Sequence, residues 1–203
     1  GNPDRERHTP VSDTPLPHRF GIRREDKSRW ERRVPLTPDH VTKLIREHGV
    51  ACRVQPSAVR AFEDGAYAQA GAELQEDLDG CAVVLAVKEI PVERLRPGTT
   101  YLYFSHTIKG QAHNMKMLRR LLDLGCQLID YERITDESER RLVFFGRHAG
   151  LAGMIDTLWT LGRRLARRGH ETPFRAIRPA HEYADLDAAK DAVLVGKAHF
   201  EVF

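Results

Sequence analysis

Residues 82–89 read AVVLAVKE, an unbroken apolar run that stops abruptly on a lysine and a glutamate. A strand that is apolar at every position is buried on both faces, and the usual way to bury both faces is a parallel sheet between layers of helix. Working outward, similar short runs recur at Phe20–Arg23, Ala51–Gln55, Thr100–Phe104, Gln127–Tyr131 and Leu142–Phe145. Longer stretches with helical spacing lie between several of them. From residue 20 onward this rhythm predicts an α/β fold in three layers, a mostly parallel sheet flanked by helices.

The helices carry their own punctuation. Thr37, Pro38 and Asp39 supply cap, first-turn proline and acid in the expected order, Val41, Leu44 and Ile45 form the apolar stripe, and Gly49 ends it. A second helix is expected from about Gly110 to Leu124, with Met117, Leu118, Leu121 and Leu122 facing inward. The third and longest runs from His148 to Gly169, with Leu151, Met154, Ile155, Leu158, Leu161 and Leu165 along one side. Gly146, Gly150 and Gly153 lack the GxGxxG spacing of a dinucleotide turn and read as points of close helix packing. Arg163, Arg164, Arg167 and Arg168 read as a solvated face near a helix C-terminus, where cations are favoured. Residues 170–203 are less regular: Thr172-Pro173 and Arg178-Pro179 interrupt them, Asp185–Val193 fits a short helix, and His199–Phe203 reads as a strand. Residues 1–19 hold four prolines among mixed charges and read as a disordered or surface leader, neither a secretory signal nor a typical transit peptide.

Composition narrows the function classes. The 203 residues carry 32 Lys and Arg against 29 Asp and Glu, a net charge of +3, which makes no strong field for a polyanion and argues against nucleic acid as a partner. The apolar run Cys81–Val87 is far shorter than the roughly 20 residues a membrane-spanning helix needs. Cys52, Cys81 and Cys126 are odd in number and lack CxxC spacing, which fits a reducing, cytoplasmic setting and no structural metal site. Walker, HExxH and GxSxG motifs are absent from the sequence.

In a parallel sheet the loops at the carboxyl ends of the strands converge on one edge. Lys88 and Glu89 follow one strand at once, His106 follows the next with Lys109 close behind, and Glu132 ends another. A lysine and a histidine sharing that edge depress each other's pKa, and a lysine so lowered can move protons, while Glu89 and Glu132 pull the other way. Arginines at the same edge, Arg33 above all, suit carboxylate substrates through bidentate contacts. Each group read singly is equally a strand terminus or a solvated surface charge.

The segments GIRREDKSRWERRVPLTPDHV (21–41), VLAVKE (84–89), FSHTIKGQAHNM (104–115), LIDYE (128–132) and FFGRHAGLAGMI (144–155) resemble the amino-terminal domain of the lysine-ketoglutarate reductases and saccharopine dehydrogenases. These group with alanine dehydrogenase and the transhydrogenases. The resemblance covers about residues 21–183 and implies a Rossmann-like domain. It implies that Lys88 and His106 form an acid/base pair, that Arg33, Lys109 and Arg141 contact substrate carboxylates, and that Glu89 and Glu132 tune the pair. The implied reaction joins lysine and 2-oxoglutarate with reduction by NAD(P)H to give saccharopine, reversibly.

The expected organisation is then a leader (1–19), a substrate-side catalytic domain (20–147), a connector helix (148–169) and an irregular segment (170–203) leading toward a dinucleotide-binding domain that this chain lacks. Without that domain the chain is expected to be inactive and to bind no cofactor tightly. Two alternatives stay open: an alanine-dehydrogenase-like amino acid dehydrogenase domain, and a non-catalytic carboxylate-binding module.

Overall fold

The computed structural model describes residues 18–198. The expected leader, up to residue 17, and the expected strand His199–Phe203 lie outside them; Arg19 already belongs to the first strand. The chain divides into two compact units, one ending at Arg133 and the other beginning at Ile134.

The first unit holds six strands, β1 (Arg19–Ile22), β2 (Ala51–Val54), β3 (Glu73–Leu74), β4 (Val83–Leu85), β5 (Thr100–Tyr103) and β6 (Gln127–Asp130), with helices α1 (Pro38–His48), α2 (Asp64–Gln69) and α3 (Ala112–Asp123). The sheet is parallel throughout, in the order β3-β2-β1-β4-β5-β6. Chain direction through the sheet reverses between β1 and β4, which makes their carboxyl ends the topological switch point of a three-layer, Rossmann-like domain.

Alternation within strands assigns the two faces. Phe20, Ile22, Cys52 and Val54 pack with Val41 of α1 and Tyr67 of α2, joined by Val83 and Leu85. Val84, Tyr101 and Tyr103 point the other way, onto Met117 and Leu121 of α3. Ile22, Val54, Tyr67 and Tyr103 are fully buried, and each large apolar side chain so buried contributes about 1.5–3 kcal/mol. On this second face Gly21 admits the Leu78 side chain, since a β-carbon there would stand 3.1 Å from it.

α1 forms as its sequence dictates. Thr37 Oγ1 accepts from the His40 amide, the His40 ring accepts from the Thr37 amide, and Gly49 closes the helix at φ 62. α3 starts at Ala112 because Gly110, at φ 65, turns the chain first. Leu122, expected inward, is 72% exposed. α2 and β3 were not expected: β3 is a two-residue edge strand with both side chains exposed, so no apolar run marks it.

In the second unit Leu142–Phe145 forms no strand. Thr135 and Arg141 make a single antiparallel bridge around a turn where Asp136 accepts from the Ser138 and Arg140 amides, and Leu142, Phe144 and Phe145 are exposed. An apolar run becomes a strand only where a ladder takes it up, and here α4 (Gly146–Arg167) begins at once. Along α4, Gly150 and Gly153 have open space at the β-carbon position, and Gly146 has only ordinary contact. The close approach falls instead at Gly162, against the backbone of Phe174. Ile155 of α4 packs with Ile177, Tyr183 and Ala189, the last from α5 (Leu186–Ala198), while Met154 and Leu161 are exposed. Arg163, Arg164, Arg167 and Arg168 are exposed, as expected. Among the described residues no helix is long and apolar enough to cross a membrane.

Candidate functional site

The ladder between β4 and β5 continues one step past the strands, where the Phe104 amide donates to the Val87 carbonyl at 3.2 Å. Lys88 and Glu89 leave the sheet directly beside Ser105 and His106. The Glu89 carboxylate, 9% exposed, is the hub of this edge. Its Oε2 accepts from Lys27 Nζ at 2.6 Å, and its Oε1 meets His106 Nδ1 at 2.7 Å and Asn114 Nδ2 at 3.1 Å. Burial alone would hold Glu89 neutral, but the hydrogen bonds, that of Lys27 foremost, prevail and pull its pKa down to about 2. An ionised carboxylate only accepts, so His106 Nδ1 carries the proton between them, and in the neutral ring Nε2 is the acceptor.

His106 is held in the left-handed backbone region at φ 50, which a non-glycine residue adopts at some cost. Two anchors impose it. Asn114 Nδ2 also donates to the carbonyls of Ser105 at 2.9 Å and His106 at 3.4 Å. The buried Asp130 at the end of β6 accepts from the Ser105 amide at 3.2 Å and from the Ser105 hydroxyl. The Thr107 hydroxyl then donates to Ser105 Oγ at 2.7 Å.

Across the switch point, Glu25 in the loop after β1 accepts from the Val87 and Lys88 amides at 2.6 and 3.0 Å, pinning the turn that carries Lys88. Burial raises the Glu25 pKa despite those amides. Arg33 grips Glu31 in a fork, Nε to Oε1 at 2.7 Å and Nη2 to Oε2 at 2.5 Å. Burial opposes the ionisation of Glu31, but Arg33 holds its pKa low and Lys88 adds to the effect, so Lys88, Glu31 and Arg33 form one electrostatic group.

The sequence-expected residues therefore separate. Lys88, Glu89, His106 and Arg33 come together around the ends of β1, β4 and β5. Lys109 is exposed past the His106 turn, with its amide on Gln111 at 3.1 Å. Glu132 follows β6 with its amide on Asp130 at 2.8 Å. Arg141 belongs to the second unit. Sequence reasoning missed Lys27, Glu31 and Asn114. Lys27 and Glu31 lie just past a strand end, the same signal that picked out Lys88, whereas Asn114 sits inside α3 and only its burial marks it.

A dinucleotide needs a glycine turn after the first strand so that its pyrophosphate can approach the backbone. Here that turn reads Arg23-Arg24-Glu25-Asp26-Lys27, Arg23 is buried and paired with Asp26, and the next helix begins only at Pro38. The residues present do not fit a dinucleotide. No group of three or more metal-ligating side chains occurs among the described residues. A cavity of about 600 Å³ opens on the Leu78 face of the sheet, lined by Arg23, Gln55, Cys81, Val84 and Tyr101 among others. Neither Lys88 nor His106 lines it.

Fold and edge together define a doubly wound domain whose switch point carries a lysine, a histidine, an arginine and the carboxylates that pair with them in place of a nucleotide turn. Residues 21–152 match the family described as alanine dehydrogenase/PNT, N-terminal domain, and the chain belongs to it. It is 46% identical over 174 residues to the mitochondrial alpha-aminoadipic semialdehyde synthase of Bos taurus, covering 86% of this chain and 19% of that protein. It is 40% identical over 181 residues to the alpha-aminoadipic semialdehyde synthase of Arabidopsis thaliana, covering 86% and 17%. To the saccharopine dehydrogenase (NAD(+), L-lysine-forming) of Neurospora crassa it is 30% identical over 179 residues, covering 85% and 47%. The chain thus spans about a fifth of the length of the first two relatives.

Proposed function

We propose that this chain is the substrate-side domain of an NAD(P)-dependent oxidoreductase of lysine metabolism that forms or cleaves saccharopine. The observation that carries the reading is the Glu89–His106 contact at 2.7 Å, at the same sheet edge as Lys88. In the forming direction the lysine ε-amine adds to the ketone carbon of 2-oxoglutarate. As the carbon-nitrogen bond forms, a proton leaves nitrogen and another reaches the former carbonyl oxygen. That oxygen then departs as water to give an imine, which is reduced to the secondary amine.

His106 Nε2 accepts the proton that leaves the amine nitrogen and returns one to the departing oxygen, and its Nδ1–H on Glu89 stabilises the imidazolium that forms in between. The Lys88 ammonium serves the amine and carbinolamine protons. Arg33, and with it Lys109, receives substrate carboxylates, Arg33 exchanging its hold on Glu31 for a substrate. Glu132 supports the pair from the β6 end. A nicotinamide dinucleotide held elsewhere in the intact enzyme would supply the hydride.

Two substrate pairs test the proposal in the intact enzyme. Turnover of lysine with 2-oxoglutarate, far above turnover of pyruvate with ammonia, is the expected result; the reverse preference overturns it in favour of an alanine-dehydrogenase-like activity. A non-catalytic module would turn over neither pair.

A further inference from the structure

Tyr131 follows β6 directly, and the site described above does not use it. The residue is 9% exposed, and its hydroxyl is buried without a hydrogen-bond partner. Its ring packs edge-on against Phe104 at a centroid distance of 5.1 Å, and Phe104 in turn stacks on the His106 imidazole at 6.4 Å. The phenol also feels the charge of Glu25. In the sheet β6 lies next to β5, so Tyr131 follows the strand neighbouring the one that leads into His106.

Glu25 does not take up the hydroxyl, because both its oxygens already accept from the Val87 and Lys88 amides. Burial raises the phenol pKa, so the group keeps its proton and acts as a neutral donor. A phenylalanine would fill the same space against Phe104 without the cost of a buried, unsatisfied hydroxyl. The oxygen is therefore explained by something other than packing.

We infer that the Tyr131 hydroxyl donates a hydrogen bond to an oxygen of the 2-oxo acid substrate, an assignment that rests on reading the Lys88–His106 edge as the site of reductive amination. It orients the carbonyl compound over the His106 edge while Arg33 takes a carboxylate.

Tyr131→Phe in the intact enzyme tests this. The KM for 2-oxoglutarate is expected to rise at least tenfold, the KM for lysine to stay within twofold, and Tm to equal or exceed that of the wild type. An unchanged 2-oxoglutarate KM overturns the inference, because the hydroxyl is then idle. A lowered Tm also overturns it, because the hydroxyl then has a partner within the fold. If the wild type instead prefers pyruvate and ammonia, the functional reading fails by itself. The pyruvate KM of the same variant then decides the role of the hydroxyl.

Discussion

Two strand ends in the same sheet hold buried charge and treat it in opposite ways. After β2, the Arg60 guanidinium donates to the Phe62 carbonyl at 3.2 Å and the Gln55 carbonyl at 3.1 Å, pairs with Asp64, and lies over the Tyr67 ring at 4.5 Å. Each of its three nitrogens is used within its own loop. After β4, the Glu89 carboxylate is equally saturated, but the groups it organises are not: the Lys27 side chain is 48% exposed and that of His106 35%. A charge consumed by its own loop stabilises the fold. A charge that orders other groups without consuming them builds a site.

This contrast can be broken by paired substitutions. In the intact enzyme Lys88→Met and His106→Gln should each lower saccharopine formation by about 10²–10⁴-fold, with Tm close to wild type. Arg60→Ala should do the reverse, costing about 3 kcal/mol by denaturant titration because it leaves Asp64 and two carbonyls without their partner, while the folded fraction keeps its kcat. Equal losses of activity and stability at both ends would erase the distinction.

Next in size is the acid limb of stability. The folded pKa of Glu89, about 2, lies below its ordinary value of 4.5. Its contribution is therefore fully present above about pH 4.5 and is lost as pH falls toward 2. A shift of that size corresponds to about 3 kcal/mol. Glu25, raised by burial, works with the opposite sign, taking up a proton more readily when folded and offsetting part of the loss. Acid unfolding of Glu89→Gln should show less stability lost between about pH 5 and 3 than the wild type. Asn114→Ala is the smallest expected effect, about 1–2 kcal/mol in stability from the lost bonds to two carbonyls and Glu89. A larger fall in kcat should accompany it, because the His106 backbone is no longer held at its positive φ.

Most of the sheet was legible because its central strands are apolar at nearly every position, and the edge was legible because charge follows those strands without a gap. Lys88, Glu89 and His106 could be named from that juxtaposition alone. β3 could not, since a two-residue edge strand needs no apolar run, and Leu142–Phe145 misled because hydrophobicity does not supply a pairing partner. Lys27 and Glu31 were readable in principle but sit in a loop crowded with charge, where the ten residues from Arg23 to Arg32 hold eight ionisable side chains. Asn114 and Tyr131 gave no signal, because their meaning comes from burial and from what their polar atoms face.

The most direct test of the central claim is the tautomer of His106, read by nitrogen-15 NMR of the neutral imidazole. Glu89 as an ionised acceptor requires the proton on Nδ1 and a bare Nε2, with that preference weakened in Glu89→Gln. A neutral ring protonated on Nε2, unchanged by the Glu89 substitution, would contradict the account.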